Sequence, residues 1–323
     1  MSLPTISLVP FLTPTPSPTP AQLETASALR QACISYGFFH LTDHAIPLTF
    51  LSSLLSRTAE FFQTAPAAEK QALKRLPPPL GDNARGYQRL GENITGGQAD
   101  WQEAIDFYRP WPAHLPPPTS DALLTGPNLY PHTPATLAEL LREYVDRCLD
   151  LGAALVRAVA LALDLTPEET ASLHAATSES FWVLRMIGYP PLPPSSASSS
   201  SCGAHTDYGL LTLLLASPVP DSLLVQSRDG TWLPVTPVEG AFVVNIGDML
   251  ERLTNGEWKS TVHRVEHRGA SYRVSCPFFF EPNFDARIEP LPTCVARTGG
   301  VAKYEAVEYG AHLVGKIRGN FYD

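Results

Sequence analysis

The chain has 323 residues, 44% hydrophobic and 17% charged, enough to bury a sizeable core as one large domain or two. Its formal net charge of −9 argues against a nucleic-acid partner, which needs a basic surface, but not against a local arginine acting on a small anion. Five cysteines with no CxxC pair, no leader-like start and no apolar run near the roughly 20 residues of a membrane span predict a cytoplasmic protein with reduced thiols and no membrane partner.

In chain order, TPTPSPTP at 13–20 reads as an extended arm, because proline lacks the amide that helices and sheets use. Leu23, Ala26, Leu29, Ala32 and Cys33 have helical spacing and predict a helix over 21–36. GFFHLTDHAI at 37–46 reads as a strand ending in a turn, and 48–62 as a second amphipathic helix. RLPPPLGDNARGY is a loop, and a proline-rich surface stretch follows Asp106. The longest helix is expected over 134–163, with Leu137, Leu141, Tyr144, Cys148, Leu155, Val159 and Leu163 on one stripe that backs a sheet.

The second half changes character. Short β-rich runs at 181–189, 208–216, 222–227, 240–246, 261–267 and 271–280 are separated by Pro, Gly, Asn and Asp, which suggests an antiparallel sandwich or jelly roll. PPLPPSSASSSSCG at 190–203 is a low-complexity segment expected to form a mobile loop.

That loop leads into SCGAHTDYGLLTLLL, where two good metal ligands stand at the mouth of an apolar strand. In a strand, residues i and i+2 share a face about 7 Å apart, so His205 and Asp207 can converge on one ion. Alone, such a pair is far more often a surface pair or a cap than a metal site. His263, in KSTVHRVEHRG, supplies a third ligand from a later strand; two histidines and one carboxylate make the facial set used for non-haem Fe(II). His267 ranks behind it and is expected to be partly exposed.

A second i/i+2 pair, Arg273 and Ser275 in YRVS, sits in an apolar strand. A buried arginine needs an anion: a ligand carboxylate or an internal Asp or Glu. Tyr189 in SFWVLRMIGYPP can add a hydrogen bond to the same anion.

In the order YPP, HTD, GDMLERLTNG, WKSTVHR, YRVS and PFFFEP, the chain resembles iron- and 2-oxoglutarate-dependent oxygenases of the isopenicillin N synthase-like family. GFFHLTDHAIP, FFQTAPAAEKQAL and RGYQRLGENITGGQADWQEAIDFYRP extend the resemblance over nearly the whole length, in the style of fungal and microbial members. It implies a mixed α/β fold: a double-stranded β-helix (jelly-roll, cupin-like) core with flanking helices, one of them long and supporting. An N-terminal region over 1–120 and a core region with the long helix over 121–323 would form one compact unit.

Carried over by position, His205, Asp207 and His263 match the iron ligands, and Arg273, Ser275 and Tyr189 match the residues that grip the far carboxylate of 2-oxoglutarate. Ile187 stands where many plant members have asparagine. The resemblance implies Fe(II), 2-oxoglutarate and O2, with ascorbate as a stimulant. Succinate and CO2 would be released as a small substrate is hydroxylated, desaturated or cyclised.

For substrate contacts the expectations are Arg85, Tyr87, Phe107, Trp182 and Phe280, with Phe181, Asn93 and Asp106 behind them. If Arg85 faces the iron, a carboxylate-bearing substrate is favoured. An oxidase that uses no 2-oxoglutarate, as isopenicillin N synthase does, and a non-catalytic sensor on the same scaffold stay open as alternatives. The oligomeric state is not legible in the sequence; nothing requires a dimer, and a monomer is compatible with it.

Overall fold

The computed structural model describes residues 3–120, 122–193 and 200–322. After strand β1 (Thr5–Ser7) and a short 3-10 turn, helix α1 runs from Pro20 to Ser35. Its start is set by sequence: Thr19 and Gln22 form a reciprocal capping box, and Pro20 stands where its missing N–H costs nothing. Strand β2 (Phe38–Thr42) and helices α2 (Leu48–Thr64) and α3 (Ala67–Ala72) follow. Strands β3 (Gly86–Gln88) and β6 (Glu103–Tyr108) flank a small hairpin, β4 (Ile94–Thr95) with β5 (Gln98–Ala99).

The long helix α4 spans Leu137–Ala162. It begins later than the periodicity predicts, because Thr136 holds a left-handed φ of 75° that no helix continues through. The expected stripe is buried, and Tyr144 donates its hydroxyl to the Cys276 carbonyl at 2.9 Å. Gly152 is the close approach: a Cβ there would lie 2.0 Å from the Phe280 ring. Helix α5 (Pro167–Thr177) carries its own capping box, Thr166 with Glu169.

The remaining strands are β7 (Val183–Tyr189), β8 (Cys202–His205), β9 (Leu211–Ala216), β10 (Leu223–Gln226), β11 (Trp232–Pro234), β12 (Phe242–Ile246), β13 (His263–Val265), β14 (Arg273–Phe280), β15 (Arg287–Ile288) and β16 (Val307–Glu308). Helices α6 (Asp248–Leu253), α7 (Pro292–Arg297) and α8 (Tyr309–Tyr322) interrupt or follow them. One sheet has the order β1-β2-β12-β9-β14-β7-β6-β3 and a smaller one β11-β10-β13-β8. The serine-rich loop is described only at its ends; residues 194–199 of that expectation lie outside the described residues.

Face alternation divides the large sheet. Cys276, Phe278 and Phe280 of β14 belong to the main core with α4, whereas Arg273, Ser275, Pro277 and Phe279 line a cavity on the other face. From β7, Val183, Arg185, Ile187 and Tyr189 line the same cavity. Register then fixes levels. Phe279 lies opposite Val183 on one side and Thr212 on the other, and Thr212 lies opposite Asn245. Arg185 lies opposite Asp106, and Arg273 opposite Tyr189. The leucine run divides the same way: Leu211, Leu213 and Leu215 are core, while Thr212 and Leu214 face the cavity.

The contact between Gly152 and Phe280 clamps α4 onto β14. Gly152→Val forces that buried ring aside and should lower stability by about 1–3 kcal/mol, the usual range for overpacking. Denaturant titration measures it; an unchanged midpoint would show that the helix is not seated on the sheet.

Candidate active site

His205 is the last residue of β8, and His263, the first of β13, is its direct antiparallel partner. Their ring centroids are 4.4 Å apart. Asp207 is not on the strand: it lies in the turn after β8, so the turn, rather than strand alternation, brings it to the histidines. Its Oδ1 is 3.7 Å from Nε2 of each, and one ligand atom from each of the three residues falls within 4.8 Å of the others.

The hydrogen bonds behind the three side chains aim them. His205 Nδ1 donates to the Gly203 carbonyl at 2.8 Å and His263 Nδ1 to the Thr261 carbonyl at 3.1 Å, leaving both Nε2 lone pairs facing inward. Asp207 Oδ2 accepts from Thr212 Oγ1 at 2.5 Å and Asn245 Nδ2 at 2.6 Å, leaving Oδ1 free. Two imidazole nitrogens and one carboxylate oxygen suit a first-row divalent ion such as Fe(II).

The three side chains shift one another's ionisation, as close, buried groups must. Burial works against ionisation of Asp207, but His263, His205 and the bonds from Asn245 and Thr212 outweigh it and hold its carboxyl below the usual range. Burial, with the nearby His205, lowers His263 to about 4. Burial also opposes protonation of His205, yet the Cys202 sulfur and the Asp207 carboxylate raise it to about 10.

At the far end of the same cavity, of about 440 Å³, Arg273 is 2% exposed. Its guanidinium lies 4.7 Å from the centroid of the Tyr189 ring. Nε and Nη1 have no hydrogen-bond partner, and among the described residues no carboxylate is within ion-pairing distance. The internal salt bridge weighed from sequence is therefore not what satisfies it. Ser275 is two residues along on the same face. A buried, unpaired guanidinium beside a hydroxyl and a phenol fits a carboxylate.

Other expectations are corrected. Arg85 does not line the cavity: it is 2% exposed, paired with Asp82 at 2.5 Å, and donates to Asn128 and to the Leu124 and Arg109 carbonyls. Tyr87 gives its hydroxyl to Glu103 at 2.5 Å. Phe107 stacks on Tyr130, Trp182 stacks on Phe278, and Phe280 packs over Gly152; none of the three lines the cavity. Phe181 packs in an aromatic cluster with Trp111 and Phe284. His267 is fully buried rather than partly exposed, with Nε2 2.5 Å from the Ser271 carbonyl.

Sequence reasoning passed over Arg185, Gln102 and Glu281, all of which line the cavity, as do Asn93 and Asp106. Alternation could have found two of them: Arg185 shares a face with Ile187 and Tyr189, and Glu281 continues the series Arg273, Ser275, Pro277, Phe279. Arg185 Nη2 donates to Asn93 Oδ1 at 2.5 Å and Nε lies 3.4 Å from Asp106 Oδ1. Burial pulls the Arg185 pKa down, but the Asp106 carboxylate raises it further. Glu281 takes the Leu210 N–H at 3.1 Å, and burial pushes its carboxyl up to about 8.

Comparison with known proteins agrees with this arrangement. Residues 3–133 match the family model "non-haem dioxygenase in morphine synthesis N-terminal", and residues 178–282 match the 2OG-Fe(II) oxygenase superfamily. The chain is 40% identical to a homoarginine-6-hydroxylase of Glycine max, over 100% of this chain and 98% of the relative. It is 42% identical to a homoarginine-6-hydroxylase of Oryza sativa subsp. japonica, over 93% and 90%. Among solved structures, a full-length Neurospora crassa protein in complex with α-ketoglutarate and thymine superposes with a TM-score of 0.82 at 26% identity, covering 98% of this chain and 96% of that one. No helix among the described residues is long and apolar enough to cross a membrane. The chain belongs to the 2-oxoglutarate- and iron(II)-dependent oxygenase superfamily, with a jelly-roll core, and is a non-haem iron dioxygenase that takes 2-oxoglutarate as cosubstrate.

Proposed function

We propose that this dioxygenase hydroxylates a free amino acid with a guanidinium side chain, such as L-homoarginine. In this reading His205, Asp207 and His263 hold the iron, and Arg273, Ser275 and Tyr189 hold the far carboxylate of 2-oxoglutarate. The bound metal and cosubstrate would activate O2, one of its oxygen atoms passing to succinate as CO2 leaves and the other entering a C–H bond of the substrate. The chain's own side chains bind, orient and exclude water.

The observation that carries the substrate class is the cavity wall on β6 and β7. A guanidinium, Arg185, and a carboxylate, Asp106, stand side by side there. Asn93 Nδ2 and Gln102 Oε1 are buried without a hydrogen-bond partner, beside the Arg185 Nε and Asp106 Oδ1 ion pair, whose 3.4 Å separation makes no hydrogen bond. Unpaired donors and acceptors in one buried cluster are costly unless a ligand completes them. An α-carboxylate and an α-ammonium would do so together: the first takes donors from Arg185 and Asn93, the second gives to Asp106 and Gln102. Arg185 thereby takes the carboxylate-binding role expected of Arg85. The names of the plant relatives support a guanidino side chain on that head group.

Between the two ends, Val183, Ile187 and Phe279 keep the path apolar. Ile187 makes no polar contact with the cosubstrate. Five free cysteines, four of them buried, suit a reducing compartment such as the cytoplasm. The regions 1–120 and 121–323 act as one unit in this reading, since β2 and β6 of the first pair with β12 and β7 of the second.

With Fe(II) and 2-oxoglutarate, L-homoarginine should raise succinate formation well above the substrate-free rate, one succinate per hydroxylated amino acid. Succinate no faster with homoarginine than without it would rule out the substrate class. Arg273→Ala should weaken 2-oxoglutarate at least about tenfold, as loss of a charged hydrogen-bond pair implies, and leave Fe(II) binding intact. Unchanged saturation by 2-oxoglutarate would place the cosubstrate elsewhere.

A further inference from the structure

Beyond the iron set and the amino-acid head, two acidic side chains line the cavity: Asp100, which accepts from Thr95 and the Gly203 N–H, and Glu281. Glu281 follows β14 and is 4% exposed. Among the described residues no lysine or arginine forms an ion pair with it. Its Oε2 lies against the backbone of Gly209 and accepts the Leu210 N–H; a Cβ on Gly209 would fall 1.3 Å from that oxygen. The glycine therefore makes the space in which the carboxyl sits, two residues past Asp207. We propose that Glu281 receives the guanidinium end of the substrate and selects for its positive charge.

The register of the sheet supports this orientation. Glu281 stands two residues beyond Phe279, and Phe279 is level with Val183, Thr212 and Asn245. Thr212 and Asn245 are the residues that hold Asp207. Arg185 stands two residues from Val183 in the opposite direction. The level of the iron ligands therefore falls between Arg185 and Glu281. Four residues of strand separate those two positions, roughly 13 Å of backbone. A span of that order suits an extended amino acid with a long side chain that is gripped by a side chain at each end. A substrate held by its head at Arg185 and its cation at Glu281 passes the metal with its methylenes.

Neighbouring charges leave the cation to the ligand. Lys316, which also lines the cavity, is engaged with Asp248 at 3.6 Å and lies over the Tyr208 ring. Arg185 is engaged with Asp106 and Asn93. A guanidinium can meet a carboxylate through two parallel N–H bonds, which a neutral urea of the same shape cannot match in strength.

The inference rests on the guanidino-amino-acid reading, and the test separates the two. Full-length Fe(II)-loaded enzyme is assayed at saturating 2-oxoglutarate with L-homoarginine and with L-homocitrulline, its neutral urea isostere, in wild type and Glu281→Gln. Wild type should favour homoarginine in kcat/KM by about tenfold or more, the worth of a charged hydrogen bond. Glu281→Gln should lose most of that preference through a higher KM for homoarginine, with the KM for 2-oxoglutarate unchanged. A purely structural Glu281 would lower both substrates alike, so an unchanged ratio in Glu281→Gln overturns the assignment. Should that variant not fold, wild type alone decides: equal kcat/KM for the two compounds overturns it. Turnover of neither by wild type removes the guanidino reading and this inference together.

Discussion

The carboxylate of Asp207 is the joint on which the site depends. One oxygen is held by Thr212 and Asn245, both side chains of the large sheet. The other faces two histidines carried by the small sheet. Asp207 itself belongs to neither sheet; it lies in the turn between β8 and β9. A segment outside both sheets is thus held in place, because two buried donors determine which oxygen is left free. The histidines are fixed by the same kind of device, each with Nδ1 given to a backbone carbonyl two residues earlier.

From that joint the cavity wall is organised by strand register. Residues that alternate onto one face of β6, β7 and β14 carry the charges: Asp106, Arg185 and Arg273. The opposite face carries the aromatic and aliphatic side chains that α4 covers. Several polar groups with unpartnered atoms stand on the cavity face. Arg273, Arg185, Asp106, Asn93 and Gln102 all line the cavity and all retain an atom without a hydrogen bond. In a folded protein such groups are costly to keep, and here they surround a space able to hold a dicarboxylate and an amino acid. Arg85 shows the contrast: an equally buried guanidinium, outside the cavity, with an acid and three further acceptors around it.

That contrast also explains what could be read from the sequence. His205, Asp207, His263, Arg273 and Ser275 lie in short motifs whose residue types are unusual for apolar strands, and folding brings them to one cavity. Long amphipathic helices were legible because their burial repeats over several turns, as in α4. Arg85 misled because its partners, Asp82 apart, come from distant segments at Arg109, Leu124 and Asn128. Phe107, Trp182 and Phe280 misled by face: each is adjacent to a residue that lines the cavity, Asp106, Val183 and Glu281 respectively, and a shift of one residue turns a side chain to the core. The β8 strand was hidden by the serine-rich segment before it, and the position of Asp207 in a turn has no periodic signal at all.

The central claim is that one cavity holds Fe(II) at Asp207 and its histidines with 2-oxoglutarate chelated beside them. Anaerobic titration of the Fe(II)-loaded protein with 2-oxoglutarate, followed by visible absorption, tests it most directly. Chelation of a ferrous ion by a 2-oxo acid produces a metal-to-ligand charge-transfer band. Wild type should develop that band in a saturable way, and Asp207→Ala, given the same Fe(II), should not. No band in iron-loaded wild type, or an equal band in Asp207→Ala, would contradict the account.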